Sequence, residues 1–289
     1  MILVTGANGV VGMPLCEVLN NRESQYIKIS RFNPDGNKSI IQWDLSNRID
    51  EQVKKQLNSV VSIIHCAPIW LLPQHLGDLK DCGIQRAVVF SSTSVVSKIK
   101  SSNIHEQNLV ELLSRSEYEL VSFCNDNNID LTLLRPSMIY GYTRDQNIMK
   151  IAGFINRFGF IFLVGEASGL RQPIHTSDLV DTVINILGNK VTYGKTYNLA
   201  GAEIMTYREM VERIFIGLNR KIKIISLPLI LYRFALILAA KLTKFSFTPE
   251  MANRMNQDLN YDISEAKNDF SFDPQKFLIS PERDLIIKK

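Results

Sequence analysis

Gly6, Gly9 and Gly12 stand three residues apart directly behind the apolar run Ile2-Leu3-Val4-Thr5. Between a strand and a helix this spacing has a mechanical meaning. The first glycine lets the chain turn out of the strand, the second keeps a side chain clear of an incoming phosphate, and the third lets the helix pack closely on the sheet. Free N–H groups and the helix dipole then favour an anion, so Gly6, Asn8, Gly9, Val10, Val11 and Gly12 are expected to cradle a pyrophosphate. The chemistry implied is dinucleotide binding. About 20 residues further on, where an acidic residue would grip the ribose hydroxyls, the chain reads Ser30-Arg31. A guanidinium suits a 2′-phosphate, so the expected cofactor is NADP, with NAD the alternative; a plain surface role for Arg31 stays open.

Positioning such a loop takes a sheet of alternating strands and helices. Short β-branched runs fall at 2–5, 26–30, 40–42, 60–65, 87–91 and 131–135, and helical stretches at 10–20, 49–57 and 104–127. The runs lack clean polar alternation, which predicts strands buried on both faces of a parallel sheet. The expected fold class is α/β, a doubly wound parallel-sheet Rossmann domain with a smaller mixed α/β substrate-binding region. The division expected is residues 1–165 for the dinucleotide domain, with 176–200 returning to it, and 166–289 mainly for the substrate region. In the second half, helices are expected at 148–158, 177–187 and 206–217, and strands at 160–164 and 196–199.

The composition of the 289 residues is globular, with 45% hydrophobic and 21% charged residues, which argues against disorder. A net charge of +4 from scattered basic residues predicts no nucleic-acid surface. Cys16, Cys66, Cys82 and Cys124 lack C-x-x-C spacing and read as reduced core residues of a cytoplasmic protein. The four histidines show no ligand spacing, so no metal site is expected. With the first strand at residue 2, no signal peptide is expected. Residues 227–242 (LPLILYRFALILAAKL) are very apolar but short for a membrane span and interrupted by Arg233. They read as a helix of the protein body in preference to one on a membrane surface.

Six further motifs follow in order: Trp43-Asp44-Leu45, His65-Cys66-Ala67-Pro68, Phe90-Ser91-Ser92-Thr93, Leu134-Arg135-Pro136 with Tyr140-Gly141, Ile174-His175-Thr176 with Asp178-Leu179, and Tyr197-Asn198-Leu199-Ala200-Gly201. Together they resemble the extended short-chain dehydrogenase/reductase family, and within it the NAD-dependent epimerase/dehydratase group that works on nucleotide sugars. The resemblance implies that Asp44 and Leu45 contact adenine and that Cys66, Ala67 and Pro68 run along the cofactor. It sets Ser91 beside the cofactor, Thr93 at the reacting oxygen of the substrate, and Pro136 and Ile139 beside the nicotinamide. Arg171 matches a basic residue that holds the nucleotide diphosphate, and Arg254 is a weaker candidate for the nucleotide. His175 is expected to be structural. A homodimer through the long helix is common in the family.

One departure matters. The family's chemistry uses a Tyr and a Lys four residues later, yet no Tyr of this chain has a Lys at that spacing. Counting back from Leu134-Arg135-Pro136 puts Leu113 in place of the Tyr and Glu117 in place of the Lys. The substitute proton carriers are Thr93 through a water, Tyr118 or Tyr140. Two functions therefore stand: an NAD(P)-dependent nucleotide-sugar epimerase, reductase or dehydratase, expected in surface polysaccharide synthesis, and a catalytically inactive dinucleotide-binding scaffold or sensor.

Overall fold

A computed structural model describes residues 1–33, 36, 37, 39–99, 101, 103–232 and 249–285. The chain divides into two compact units. The first comprises Met1–Pro136, Thr176–Leu199 and Ile263–Asp273; the second comprises Ser137–His175, Ala200–Asp262 and Pro274–Lys289. The first unit thus closes at Pro136, earlier than the boundary at 165 expected from the sequence. Past that point the chain leaves the large sheet, and until Thr176 its strands form two-stranded pairs around the helix Ile148–Phe158.

The first unit is built on a seven-stranded parallel sheet. In chain order its strands are β1 (Ile2–Thr5), β2 (Tyr26–Ser30), β3 (Ile40–Gln42), β4 (Ser62–His65), β5 (Arg86–Phe90), β6 (Asp130–Pro136) and, after an excursion, Lys195–Leu199. Spatially the order is Lys195–Leu199, β6, β5, β4, β1, β2, β3. The order reverses at β1, the switch point at whose carboxyl edge such sheets bind ligands. Helices α1 (Gly12–Asn21), α2 (Glu51–Leu57), α3 (Leu76–Asp81), α4 (Ser94–Ser97) and α5 (Ile104–Asp126) connect the strands. Leu3, Ile63, Ala87, Val89, Leu131 and Leu133 belong to one buried cluster with Leu57, Leu72, Leu79 and Leu120 from the helical layer, which is why these strands read as continuous apolar runs.

The sheet's far side is fixed by one buried cation. Arg86 is 5% exposed and donates to the carbonyls of Ala87, Asp130, Ile186 and Leu187 and to the hydroxyls of Thr132 and Thr192. Ile186 and Leu187 end the helix Thr176–Ile186, whose C-terminal dipole favours a cation. Burial lowers the Arg86 pKa to about 10.

The second unit has its own core, in which the helix Ile148–Phe158 packs with the helix Tyr207–Gly217. The latter begins with a capping box: the Thr206 hydroxyl accepts from Glu209 N at 3.1 Å, and the Glu209 carboxylate accepts from Thr206 N at 2.7 Å. Of the apolar run 227–242, residues 229–232 are helical and 233–242 lie outside the described residues. No described helix is long and apolar enough to cross a membrane.

Candidate dinucleotide site

The β1–α1 turn shows why its residues are glycines. Gly6 has φ +65°, and a Cβ there would lie 2.5 Å from Ala67 N and 2.5 Å from Cys66 C. A Cβ on Gly12 would lie 2.2 Å from Gly6 O. Both are backbone contacts that no side-chain rotation relieves. Gly9 differs: the nearest atom to its Cβ would be Gly6 O, at 3.1 Å. Packing therefore demands a glycine at positions 6 and 12, and constrains the exposed middle one less. Among the described residues no side chain caps α1 at Val11, which leaves the helix start suited to an external anion. Asn8 and Gly9 are exposed, Val10 is half-buried, and Val11 and Gly12 are buried.

Beside the turn lies a cavity of about 480 Å³. Gly6, Asn8 and Gly9 line it from the turn, Arg31 from the end of β2, Asp44 and Leu45 from beyond β3, and Cys66, Ala67 and Pro68 from beyond β4. Asp44 accepts from Ser46 N at 2.9 Å, and that N–H is the main cause holding its carboxyl below the usual range. The Leu45 carbonyl sits 2.7 Å from both Gln74 Nε2 and His75 Nε2. Burial pushes the Cys66 thiol up, so it is a neutral wall group.

The floor of the cavity is held by a group whose place in its motif does not disclose its role. His65 ends β4 and is fully buried. Its Nε2 lies 3.1 Å from Pro68 O, a contact that needs Nε2–H as donor. Nδ1 then accepts from the Thr5 hydroxyl at 2.8 Å. One imidazole thus ties the end of β1 to the Cys66-Ala67-Pro68 segment. Burial lowers its pKa to about 4.

The carboxyl edges of β5 and β6 carry further motif residues of this unit. Ser91 Oγ donates to Glu117 Oε1 at 2.5 Å, and Arg135 grips the same carboxylate through Nε, at 2.9 Å, and Nη2. Glu117 is buried and forms an ion pair that joins α5 to β6. Leu113, one turn earlier on the same helical face, is buried and apolar. Thr93 is buried, and its hydroxyl donates to Pro136 O at 3.1 Å. Tyr118 does not join this group: it is 75% exposed, because one residue beyond Glu117 turns about 100° around the helix. Lys98 pairs with Glu106 at 3.3 Å.

The other predicted residues belong to the second unit. Ile139 pairs with Ile174 in a short parallel ladder. Tyr140 is a core residue; its oxygen accepts from Leu278 N at 3.0 Å, and its ring meets the rings of His175 and Phe277 edge-on. This placement corrects its candidacy as a proton carrier, since burial and packing engage it as an anchor. His175 is buried 3.1 Å from Asp284 Oδ1. Arg171 is 3% exposed and donates to the carbonyls of Leu170, Gln257 and Arg254 at 2.6, 2.8 and 2.5 Å. Its guanidinium lies over the Tyr207 ring, 5.1 Å from the centroid. Among the described residues no group of three or more His, Cys, Asp or Glu is placed to hold a metal ion.

No family model matches the chain. Among curated proteins it is similar to the uncharacterized protein y4nG of Sinorhizobium fredii, 23% identical over 299 residues, covering 94% of this chain and 74% of that one. It is also similar to UDP-glucose 4-epimerase of Vibrio cholerae, 22% identical over 310 residues, covering 96% and 92%. A shorter match, 34% identical over 86 residues, is to the mitochondrial NADH dehydrogenase 1 alpha subcomplex subunit 9 of Dictyostelium discoideum; it covers 30% of this chain and 24% of that protein. Of solved structures, UDP-glucuronic acid 4-epimerase from Bacillus cereus, in complex with UDP-glucuronic acid and NAD, matches with TM-score 0.72 and 17% identity over 98% of this chain and 97% of that one. dTDP-glucose 4,6-dehydratase from Bacillus anthracis, in complex with NAD, matches with TM-score 0.68 and 16% identity over 98% and 93%. The chain has the Rossmann-type α/β fold of these epimerases and dehydratases.

Proposed function

We propose that the protein binds NAD(P) in the cavity of the first unit and acts as a nucleotide-sugar oxidoreductase or epimerase of the epimerase/dehydratase type, with surface polysaccharide synthesis as its setting. The carrying observation is the turn itself. Gly6 and Gly12 stand where a Cβ would strike backbone, and the uncapped start of α1 follows them beside the cavity. The residues present fit a dinucleotide, with the turn holding the pyrophosphate, Asp44 and Leu45 at the adenine, and Cys66, Ala67 and Pro68 along its length. A bound nicotinamide would supply the hydride acceptor or donor. Ser91 and Thr93 at the β5 edge, with Pro136 at the end of β6, are proposed to lie at the nicotinamide end. In the second unit, Arg254 is proposed for the nucleotide diphosphate, whereas Arg171, buried with its guanidinium on the carbonyls of Leu170, Arg254 and Gln257, is engaged as a tie within that unit.

The proton must then travel without a Tyr–Lys pair. Of the proposed carriers we retain Thr93, which, with its own proton donated to Pro136 O, accepts from and orients a water that carries the proton. A general acid is typically worth about 10²–10⁴-fold in rate, so turnover is expected to be slow.

A second reading, a dinucleotide-holding protein without turnover, has its own observation. The buried face of α5 offers Leu113, Glu117 and Leu120, and the one acid among them is locked to Arg135.

Mixing the purified chain with stoichiometric NADP or NADPH and a panel of nucleotide sugars and their 4-keto forms separates the two. A change in reduced-nicotinamide absorbance with one sugar supports the enzyme. Cofactor binding with no change for any sugar supports the second reading.

A further inference from the structure

The end of β2 sets which dinucleotide this cavity prefers. In a fold of this kind that position faces the adenosine ribose. A carboxylate there accepts from the 2′- and 3′-hydroxyls, whereas an arginine accommodates a 2′-phosphate. Resting on the dinucleotide reading above, we propose that Arg31 is the specificity-determining residue and that the protein prefers NADP(H) to NAD(H), in contrast to its NAD-bound structural neighbours.

Three features carry this. First, Arg31 lines the cavity, and its backbone is fixed rather than loose. Ser30 Oγ accepts from Phe32 N at 3.2 Å and donates to Phe32 O at 2.9 Å, closing a small turn around Arg31. Gln42 Nε2 donates to Arg31 O at 3.4 Å from the neighbouring strand. Second, among the described lining residues Arg31 is the one cation and Asp44 the one acid. The Asp44 carboxylate accepts from Ser46 N and is thereby turned into its own loop, with the charge of Arg31 a lesser influence on it. The β2 end therefore lacks, among the described lining residues, a second carboxylate to take the ribose diol. Third, Ser30 and Ser46 line the same wall, and Arg31 is exposed there. A planar guanidinium makes paired, charge-assisted bonds to phosphate oxygens, and neighbouring hydroxyls can donate to the rest.

The test is equilibrium binding to the full chain, read by reduced-nicotinamide fluorescence. Competition by adenosine 2′,5′-bisphosphate against 5′-AMP isolates the ribose end. NADPH is expected to bind about tenfold or more tighter than NADH, with a ratio that shrinks as salt is raised. Arg31→Ala is expected to bring the ratio close to one by weakening NADPH alone, and Arg31→Asp to reverse it. Because Arg31 is exposed, both variants should melt like the parent, which a thermal scan verifies. NADH binding as tightly as NADPH, or a ratio unmoved by Arg31→Ala, overturns the inference and leaves the dinucleotide reading standing. Failure of both dinucleotides to bind overturns that reading and the inference together.

Discussion

His65 offers a titration that reports on the floor of the cavity. The imidazole is fully buried between Thr5 and Pro68, and burial is the main cause lowering its pKa from 6.5 to about 4, against the opposing pull of the Pro68 carbonyl. In the unfolded chain the same ring takes up its proton near 6.5. Between these two values the unfolded state binds one proton more than the folded state, so stability falls as pH drops through that window. It is fully present above about 6.5 and falls no further, from this group, below about 4. A shift of that size corresponds to about 3 kcal/mol. The perturbation is His65→Gln, which cannot titrate. The assay is urea unfolding followed by tryptophan fluorescence between pH 4 and 7.5. Trp43 and Trp70, the chain's two tryptophans, both lie in the first unit, so the signal belongs to the unit that holds His65. At pH 7 the parent should be more stable than the variant, since Gln leaves the Thr5–Pro68 tie incomplete. That advantage should shrink by about 3 kcal/mol on going to pH 4. An advantage that stays constant across the range would refute the assignment of His65 as a buried neutral tie.

Other outcomes follow from the same geometry. Gly12→Ala drives a Cβ to 2.2 Å from the Gly6 carbonyl and should cost about 3 kcal/mol by chemical denaturation. Gly9→Ala brings a Cβ to 3.1 Å from the Gly6 carbonyl, a tight contact that a small shift relieves, so it should cost clearly less stability than Gly12→Ala while weakening dinucleotide binding about tenfold or more through its approach to the phosphates. Glu117→Ala leaves Arg135 without its carboxylate and should cost about 3 kcal/mol. Tyr118→Phe, on the exposed side of the same helix, should change neither stability nor cofactor affinity.

Much of the fold was legible because local signals and burial agreed. The apolar runs at 2–5, 26–30 and 40–42 became β1, β2 and β3 with those bounds, and the helix at 148–158 likewise. Thr206 capped its helix as its hydroxyl and the Glu three residues on required. Boundaries moved where the signal was weak: the helix expected from Val10 begins at Gly12, because the glycine turn occupies the residues before it. The site was less legible, since residue type does not reveal which way a side chain points. Tyr118 and Glu117 are neighbours in sequence, yet one faces solvent and the other is locked to Arg135, 18 residues away. Arg135 belongs to the Leu134-Arg135-Pro136 motif, and nothing local reveals Glu117 as its partner. The tie of His65 to Thr5 likewise joins residues 60 positions apart that only the β1–β4 pairing brings together. Arg171 was singled out for a phosphate, and the three carbonyls it meets come from its own strand and from residues 254 and 257, a proximity the sequence does not show.

The most direct test of the central claim is a titration of NADPH into the purified chain beside Gly9→Ala, followed by isothermal calorimetry. Saturable binding at one dinucleotide per chain, weakened in a variant that a thermal scan shows to be folded, is the predicted result. An undetectable heat with the folded parent, or binding that Gly9→Ala leaves untouched, would contradict the assignment of the β1–α1 turn as the pyrophosphate site.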